Sequence, residues 1–245
     1  MKKIMIFGAA SAIAQETAKL FARDGEHLFL VDMNISRLEA VRDDILARFK
    51  TKIDLYEANA LDFDKHQELF EKAIQTLGGL DYVLIAHGTL PDQTKTQENP
   101  ESIIREFNIN CVSVISLASI AANYFEKQNQ GCIAVISSVA GDRGRQSNYI
   151  YGAAKGGVTT FLQGLRNRVA HSGVSVVTIK PGMVDTPMTA HLPKSPLFAK
   201  PNDVGKGIYK AMLSGKDVAY LPGYWRLIMT IIKMIPEGIF KKMKL

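Results

Sequence analysis

The sequence predicts an α/β fold: one doubly wound parallel sheet with helices on both faces, followed by a basic amphipathic helix. Three features predict it. Short apolar, β-branched runs alternate with helix-length periodic segments, a loop of small residues follows the first run, and no internal repeat or linker interrupts the alternation.

Lys3 to Phe7 reads as a short buried strand and Ser11 to Arg23 as an Ala-rich helix with an apolar stripe. His27 to Val31 is the second strand, Ser36 to Phe49 the second helix and Lys52 to Glu57 the third strand. Then come a helix over Asp64 to Leu77, a strand over Asp81 to Ile85 and a long helix from Glu101 to Phe125. A strand that ends at Ser137, a helix from Tyr151 to His171 and a strand from Val174 to Ile179 complete the alternation. We read residues 1–222 as one domain and 223–245 as an extension of it.

Composition narrows the function. At 245 residues, with a net charge of +6, the chain can bury a full core, and its basic excess raises the question of nucleic acid. Between Gly223 and Leu245, five basic residues stand against Glu237, so four of the six net charges belong to the tail. The body has no basic stripe interleaved with aromatics, which argues against nucleic acid. Cys111 and Cys132 suit a reducing compartment and are too few for a disulfide framework or a metal site. Met1 to Ala14 has the outline of a secretory signal, yet the same residues form the first strand and loop that the alternation requires, so the reading is cytoplasmic. No stretch reads as about 18 apolar residues long, the length that spans a bilayer.

Chemistry concentrates between Ile136 and Lys155. Ser138 ends a strand, and Tyr151 and Lys155 stand four apart on one face of the next helix. A phenol titrates near ~10, so a fixed ammonium one turn away is expected to lower it toward use as an acid/base at neutral pH. Ser138 would hydrogen-bond the substrate oxygen. Tyr-x-x-x-Lys alone also fits a half-buried Tyr beside a solvated Lys. The first strand-to-helix turn, Gly8 with Ser11, Ala12 and Ile13, suits a dinucleotide pyrophosphate at a helix N-terminus, although alanines stand where glycines are usual. Asp32, at the end of the second strand, suits ribose hydroxyls and repels a 2′-phosphate; the other use of such an Asp is a helix cap.

With Gly8, Asp32, Asn110, Ser138, Tyr151, Lys155 and Pro181-Gly182 in this order, the chain resembles the short-chain dehydrogenase/reductase family, a Rossmann-like fold, over nearly its whole length. The resemblance implies that Asn110 links Lys155 to solvent through a water and that Ser138, Tyr151 and Lys155 are catalytic. It implies a cofactor site that also uses Asn59 and Ala60, Ala86 and Gly88, and Pro181, Gly182, Val184 and Thr186. NAD(H) is favoured, with NADP(H) the alternative. Ile85-Ala86-His87-Gly88 departs from the family's Asn-Asn-Ala-Gly, Asn59 replaces its adenine-side Asp, and His87 reads as a packed strand-end histidine.

The segments Asp185 to Leu197, Trp225 to Met229 and Ile235 to Lys242 resemble one branch, the decaprenylphosphoryl-2-keto-β-D-erythro-pentose reductases of cell envelope biosynthesis. That implies a lipid-linked keto-sugar as substrate class and a partner flavin oxidase. Arg143 and Arg145, on the loop before Tyr151, would grip a phosphate, or else are solvated. Thr186 to Lys200 reads as a lid, with His191 as a substrate contact. Tyr224 to Ile235 reads as a helix crowded with apolar residues and Ile239 to Leu245 as a second short piece. This tail either lies on an anionic membrane surface or packs on the protein's own core. The long helices from Glu101 and Tyr151 are candidate faces for a homodimer or homotetramer. Competing readings of the function are reduction of another carbonyl, such as a 3-oxoacyl thioester or the ketone of a hydrophobic secondary alcohol, and a dinucleotide-binding sensor without chemistry.

Overall fold

A computed structural model describes residues 1–244; Leu245, the last residue of the expected tail piece, lies outside the described residues. Seven parallel strands form one sheet in the order β3-β2-β1-β4-β5-β6-β7. The strands are β1 (Lys3–Phe7), β2 (His27–Asp32), β3 (Ile53–Glu57), β4 (Tyr82–Ile85), β5 (Gly131–Ile136), β6 (Val174–Pro181) and β7 (Val218–Leu221). The inner strands are mostly apolar because helices cover both faces, as a parallel sheet requires. The helices α1 (Ala12–Arg23), α2 (Ile35–Leu46) and α8 (Pro201–Leu213) bury Phe21, Leu38, Ile45 and Ile208 on one face. On the other face α3 (His66–Leu77), α6 (Ser113–Gln128) and α7 (Tyr149–Arg168) bury Phe70, Leu117, Phe125 and Leu162. The fold is the single Rossmann-like α/β domain expected.

Three elements are absent from the sequence reading. The short α4 (Gln93–Gln97) precedes α5 (Pro100–Phe107), and α8 and β7 follow the lid segment. β7 is only four residues long, too short to show a strand period. The α8 stretch carries Gly205 and Gly207, which lower its helical signature. Gly205 is needed there, since a Cβ would come within 2.7 Å of Glu16 Cβ on α1, so α1 and α8 touch only because a side chain is missing.

The expected single helix from Glu101 becomes α5, a π-helical turn at Asn108–Val112, and α6. That turn carries Asn110, which is fully buried. Pro100–Gln128 runs for 29 residues and holds an 18-residue window of mean hydropathy 1.4, so the chain does contain a helix long and apolar enough to cross a membrane. Val114, Leu117, Ala118, Ala121 and Phe125 are spent on the sheet, the pattern of a core helix.

The tail forms α9 (Trp225–Met234) and α10 (Glu237–Phe240). The inner face of α9 packs on the body through Trp225 and Met229 against Val139. Its outer face leaves Leu227, Ile231 and Met234 exposed. Packing on the protein's own core, one of the two uses weighed from sequence, is thus seen for the inner face.

Arg143 does not reach a substrate position. Its guanidinium donates to the carbonyls of Ile232 and Ile235 (2.6 Å to the latter), pairs with Glu237 at 3.0 Å and lies 3.6 Å from the Phe240 ring centroid. At the end of α9 Ile232 O accepts the Ile235 amide at 3.3 Å, and the guanidinium fork adds a charged donor to it and to Ile235 O at once. Arg143 is thus a latch on the C-terminal hairpin. Arg143→Ala is expected to lower the unfolding free energy by about 2–3 kcal/mol, the range for hydrogen bonds from a charged donor. It should also expose residues 235–244 to protease; urea unfolding and timed trypsin digestion measure both.

Candidate active site

The carboxyl ends of β1, β4, β5 and β6 open onto a cleft of about 410 Å³. Strand order reverses between β1 and β4, and ligands in doubly wound sheets sit outside the strand ends at such a point. Ser11, Ala86, Ser138, Tyr151, Lys155 and Thr186 all line it.

At the β1 end, Ser11 Oγ accepts the Ala14 amide and opens α1. The amides of Ala12 and Ile13, in the first turn, have no acceptor among the described residues and face the cleft. Gly8, at φ +80°, lets the turn press against His87, whose backbone nitrogen would be 2.5 Å from a Cβ. One carboxylate oxygen of Asp32 accepts the Ala10 amide at 3.1 Å, which leaves the other free at the end of β2. Free amides at a helix N-terminus beside a strand-end carboxylate fit a dinucleotide's pyrophosphate and ribose. Arg37, which the sequence reading passed over, reaches back to the Ala10 carbonyl at 3.3 Å and lines the cleft, so a cation also stands near the ribose end.

In the middle of the cleft, glycines set the geometry. Gly141 lies against the backbone of α7, where a Cβ would be 2.6 Å from the carbonyl carbon of Lys155; at Gly152 a Cβ would be 3.0 Å from Ala140 O. The 3₁₀ turn Val139–Asp142 therefore rests directly on the first turns of α7. This brings Ser138 beside Tyr151. Ser137, one residue earlier, turns inward and bonds Lys155 O at 3.0 Å and Thr159 Oγ1 at 2.9 Å, which fixes the end of β5 to α7. Under the same turn, buried Lys180 pairs with Asp142, and the Tyr220 hydroxyl donates to Asp142 at 2.6 Å. Burial first, then Asp142, pushes the Tyr220 phenol up.

Lys155 Nζ donates to Ile136 O at 3.0 Å and stands 5.8 Å from the Tyr151 ring centroid. Burial lowers Lys155 to about 8, with Cys111 acting in the opposite direction. Burial raises Tyr151 to about 12, and only the Ser138 hydroxyl draws it back. Lys155, expected from sequence to soften the phenol, is not among the groups that move it: burial raises Tyr151 and the Ser138 hydroxyl lowers it, so Tyr151 holds its proton at neutral pH.

Asn110 has both amide atoms bonded within the protein, with one lone pair of its Oδ1 left over. Its Nδ2 donates to Thr89 Oγ1 (2.9 Å), Glu106 O (3.1 Å) and Glu106 Oε2 (3.3 Å), and its Oδ1 accepts Thr89 N (3.0 Å). Asn110 Oδ1 and Lys155 Nζ both flank Gly88, 2.9 and 3.4 Å from the place of its Cβ. Glu106 and Thr89 escaped the sequence reading because a buried Glu looks like any exposed helical Glu in a one-dimensional pattern. His87 is packed as expected, edge-on to Phe7 and bonded to Ser113 at 2.8 Å. Burial drives it down to about 3, so it is neutral, with Nδ1 unpartnered beside the cleft.

Several expected residues lie elsewhere. Asn59 turns its Oδ1 to the Leu61 amide and borders a separate depression with Met33, and the Ala60 carbonyl is 3.2 Å from His66 Nε2. His191 is exposed, because Leu192 takes the inward position of the lid. The lid itself is anchored by a bridge from Val184 to Ala199 and by the Lys194–Asp185 pair. Arg145, unlike Arg143, does line the cleft, and so do Asn148 and Trp225, which the sequence reading did not assign. Gly182 exists for Trp225: a Cβ there would be 1.9 Å from the indole nitrogen.

Residues 2–196 match the short chain dehydrogenase family. An uncharacterized oxidoreductase of Streptomyces coelicolor is 27% identical over 99% of this chain and 96% of its own length. A 3-oxoacyl-[acyl-carrier-protein] reductase of Thermotoga maritima is 29% identical over 91% of this chain and 94% of its own. Among solved structures, levodione reductase superposes with a TM-score of 0.84 at 20% identity, over 92% of this chain and 98% of that one.

The buried ammonium carries a testable signature. Because Lys155 falls from 10.5 to about 8 on folding, the unfolded chain binds more protons between those pH values, and the destabilisation is fully present below about pH 8. Lys155→Met is expected to raise the unfolding free energy at pH 7 by a few kcal/mol. The gain should shrink as the pH rises toward 10.5; chemical denaturation across pH measures it.

Proposed function

The chain belongs to the short-chain dehydrogenase family and is an NAD(P)-dependent oxidoreductase, and from that premise we propose that it reduces a ketone to a secondary alcohol on a keto-sugar carried by a polyprenyl phosphate. The observation that carries the reductase reading is the convergence of the Ser138 and Tyr151 hydroxyls over buried Lys155 in one cleft. The similarity of the Asp185–Leu197, Trp225–Met229 and Ile235–Lys242 segments to the keto-pentose reductase branch supports the substrate class.

A bound NADH supplies the hydride. Ser138 and Tyr151 hydroxyls donate hydrogen bonds to the ketone oxygen and polarise it. As negative charge develops there, Tyr151 gives up its proton, since an alkoxide is a far stronger base than phenolate. Lys155 stabilises the phenolate that remains, which lies about five units above neutral, on the order of 7 kcal/mol, without that help. Asn110 Oδ1 and the Lys155 ammonium flank Gly88 together, so a solvent molecule held between them would pass a proton to Lys155 and on to Tyr151. Asp32 supports NADH over NADPH, against the pull of Arg37.

The outer face of α9 supports docking on an anionic bilayer at the inner side of the cell membrane. Leu227, Ile231 and Met234 follow one another along it, and Arg226 and Lys233 form the adjoining row, complementary to anionic head groups. The exposed Ile104, Phe107 and Val112 on the long helix support self-association there.

Two measurements test this reading. NADH oxidation with a panel of ketones should fall at least about 100-fold in Tyr151→Phe, the contribution typical of a general acid, and Asp32→Ala should narrow the preference for NADH. Vesicles containing phosphatidylglycerol should sediment the protein, those of phosphatidylcholine alone should not, and Ile231→Asp should abolish the difference.

A further inference from the structure

Three buried polar atoms on the β6 side of the cleft have no partner among the described residues: Arg145 Nε, Trp225 Nε1 and Asn148 Oδ1. All three residues line the same cleft as Ser138 and Tyr151. A buried polar atom without a partner is unfavourable, more so in a charged group, so three around one cavity mark a place where a ligand completes the bonding.

Their chemistry is specific. Arg145 is a cation whose nearest internal carboxylate, Asp142, is already taken by Lys180 and Tyr220. Its recorded hydrogen bond runs from Nη2 to Met229 Sδ at 3.2 Å, a weak acceptor. Burial lowers the Arg145 guanidinium, with Asp142 alone acting upward. The Trp225 N–H can only donate, and Asn148 Oδ1 can only accept. The indole is held in place by Gly182, at the end of β6, and Asn148 sits immediately before α7, three residues from Tyr151. The pyrophosphate-type donors at Ala12 and Ile13 belong to the β1 end, across β4 and β5 from this trio.

We propose that Arg145 and Trp225 bind an anionic phosphoryl oxygen of the ketone substrate while Asn148 accepts a hydrogen bond from a sugar hydroxyl next to it. Two donors, one of them charged, call for an oxyanion; a lone acceptor beside them calls for a hydroxyl. A plain hydrophobic ketone would satisfy none of the three. The inference rests on the keto-sugar reading and deepens it by assigning which substituents the cleft recognises. Arg143, the other arginine of the loop, is held on α10 and takes no part.

Trp225 is the single tryptophan of the chain, so its emission reports occupancy without turnover. The protein saturated with NAD⁺, which fills the pyrophosphate end, is titrated with D-ribose 1-phosphate, D-ribose and inorganic phosphate. Ribose 1-phosphate is expected to saturate at about tenfold lower concentration than ribose, the effect of one charge-assisted hydrogen bond. Arg145→Met should erase that difference, and Arg145→Lys should keep part of it. Asn148→Leu should weaken both sugars and leave inorganic phosphate unchanged. Equal binding of ribose and ribose 1-phosphate by wild type, no emission response to either, or unaltered phosphate preference in Arg145→Met overturns the proposal. If Arg145→Met does not fold, unaltered preference in Arg145→Lys does so. Tyr151→Phe separates the two readings: it should bind these ligands normally while NADH oxidation is lost. Failure of every ketone to turn over, with the binding pattern intact, rejects the reductase and not the subsite.

Discussion

The cleft is organised around an ammonium that the fold has taken out of water. Lys155 is almost fully buried on α7, donates to the Ile136 carbonyl and has no carboxylate paired to it among the described residues. Such a cation is unfavourable for folding, and the structure retains it beside a half-buried phenol. The cost makes chemical sense only at a site where negative charge appears during a reaction. Burial keeps the phenol loaded with its proton, and the ammonium becomes useful at the moment that proton leaves.

Everything near this pair serves to hold it still. Glycines at 141 and 152 bring the Ser138 turn onto α7, and Ser137 ties β5 to the same helix. The Asp142–Lys180–Tyr220 cluster pins the far end of that turn to β6 and β7. The C-terminal hairpin extends the arrangement. Arg143 latches it from inside the turn, and Trp225 from the hairpin forms a wall of the cleft, so the hairpin contributes a side chain to the site.

Much of this is legible in the sequence, and the failures share a cause. Strand and helix periods gave the first six strands, and the four-residue spacing of Tyr151 and Lys155 placed them on one face of α7 in the cleft. What a linear pattern cannot show is which way a side chain turns at the end of its reach. Arg143 and Arg145 are equivalent on paper, yet one grips α10 and the other faces the cleft. His191 and Leu192 compete for one inward position, and the apolar residue takes it. Glu106 and Asp142 look like ordinary surface carboxylates until the fold buries them. Tyr151 shows the same limit: sequence displays the charge beside it but not the burial that raises the phenol.

The most direct test is the ionisation of the phenol itself. Ultraviolet difference titration of wild type against Tyr151→Phe isolates the absorbance of this one tyrosinate. The account predicts that in the protein alone Tyr151 ionises near pH 12, and that NAD⁺, whose ring carries a positive charge, brings the value down. A phenol that titrates below its ordinary value of about 10 without cofactor, or one indifferent to NAD⁺, would contradict it.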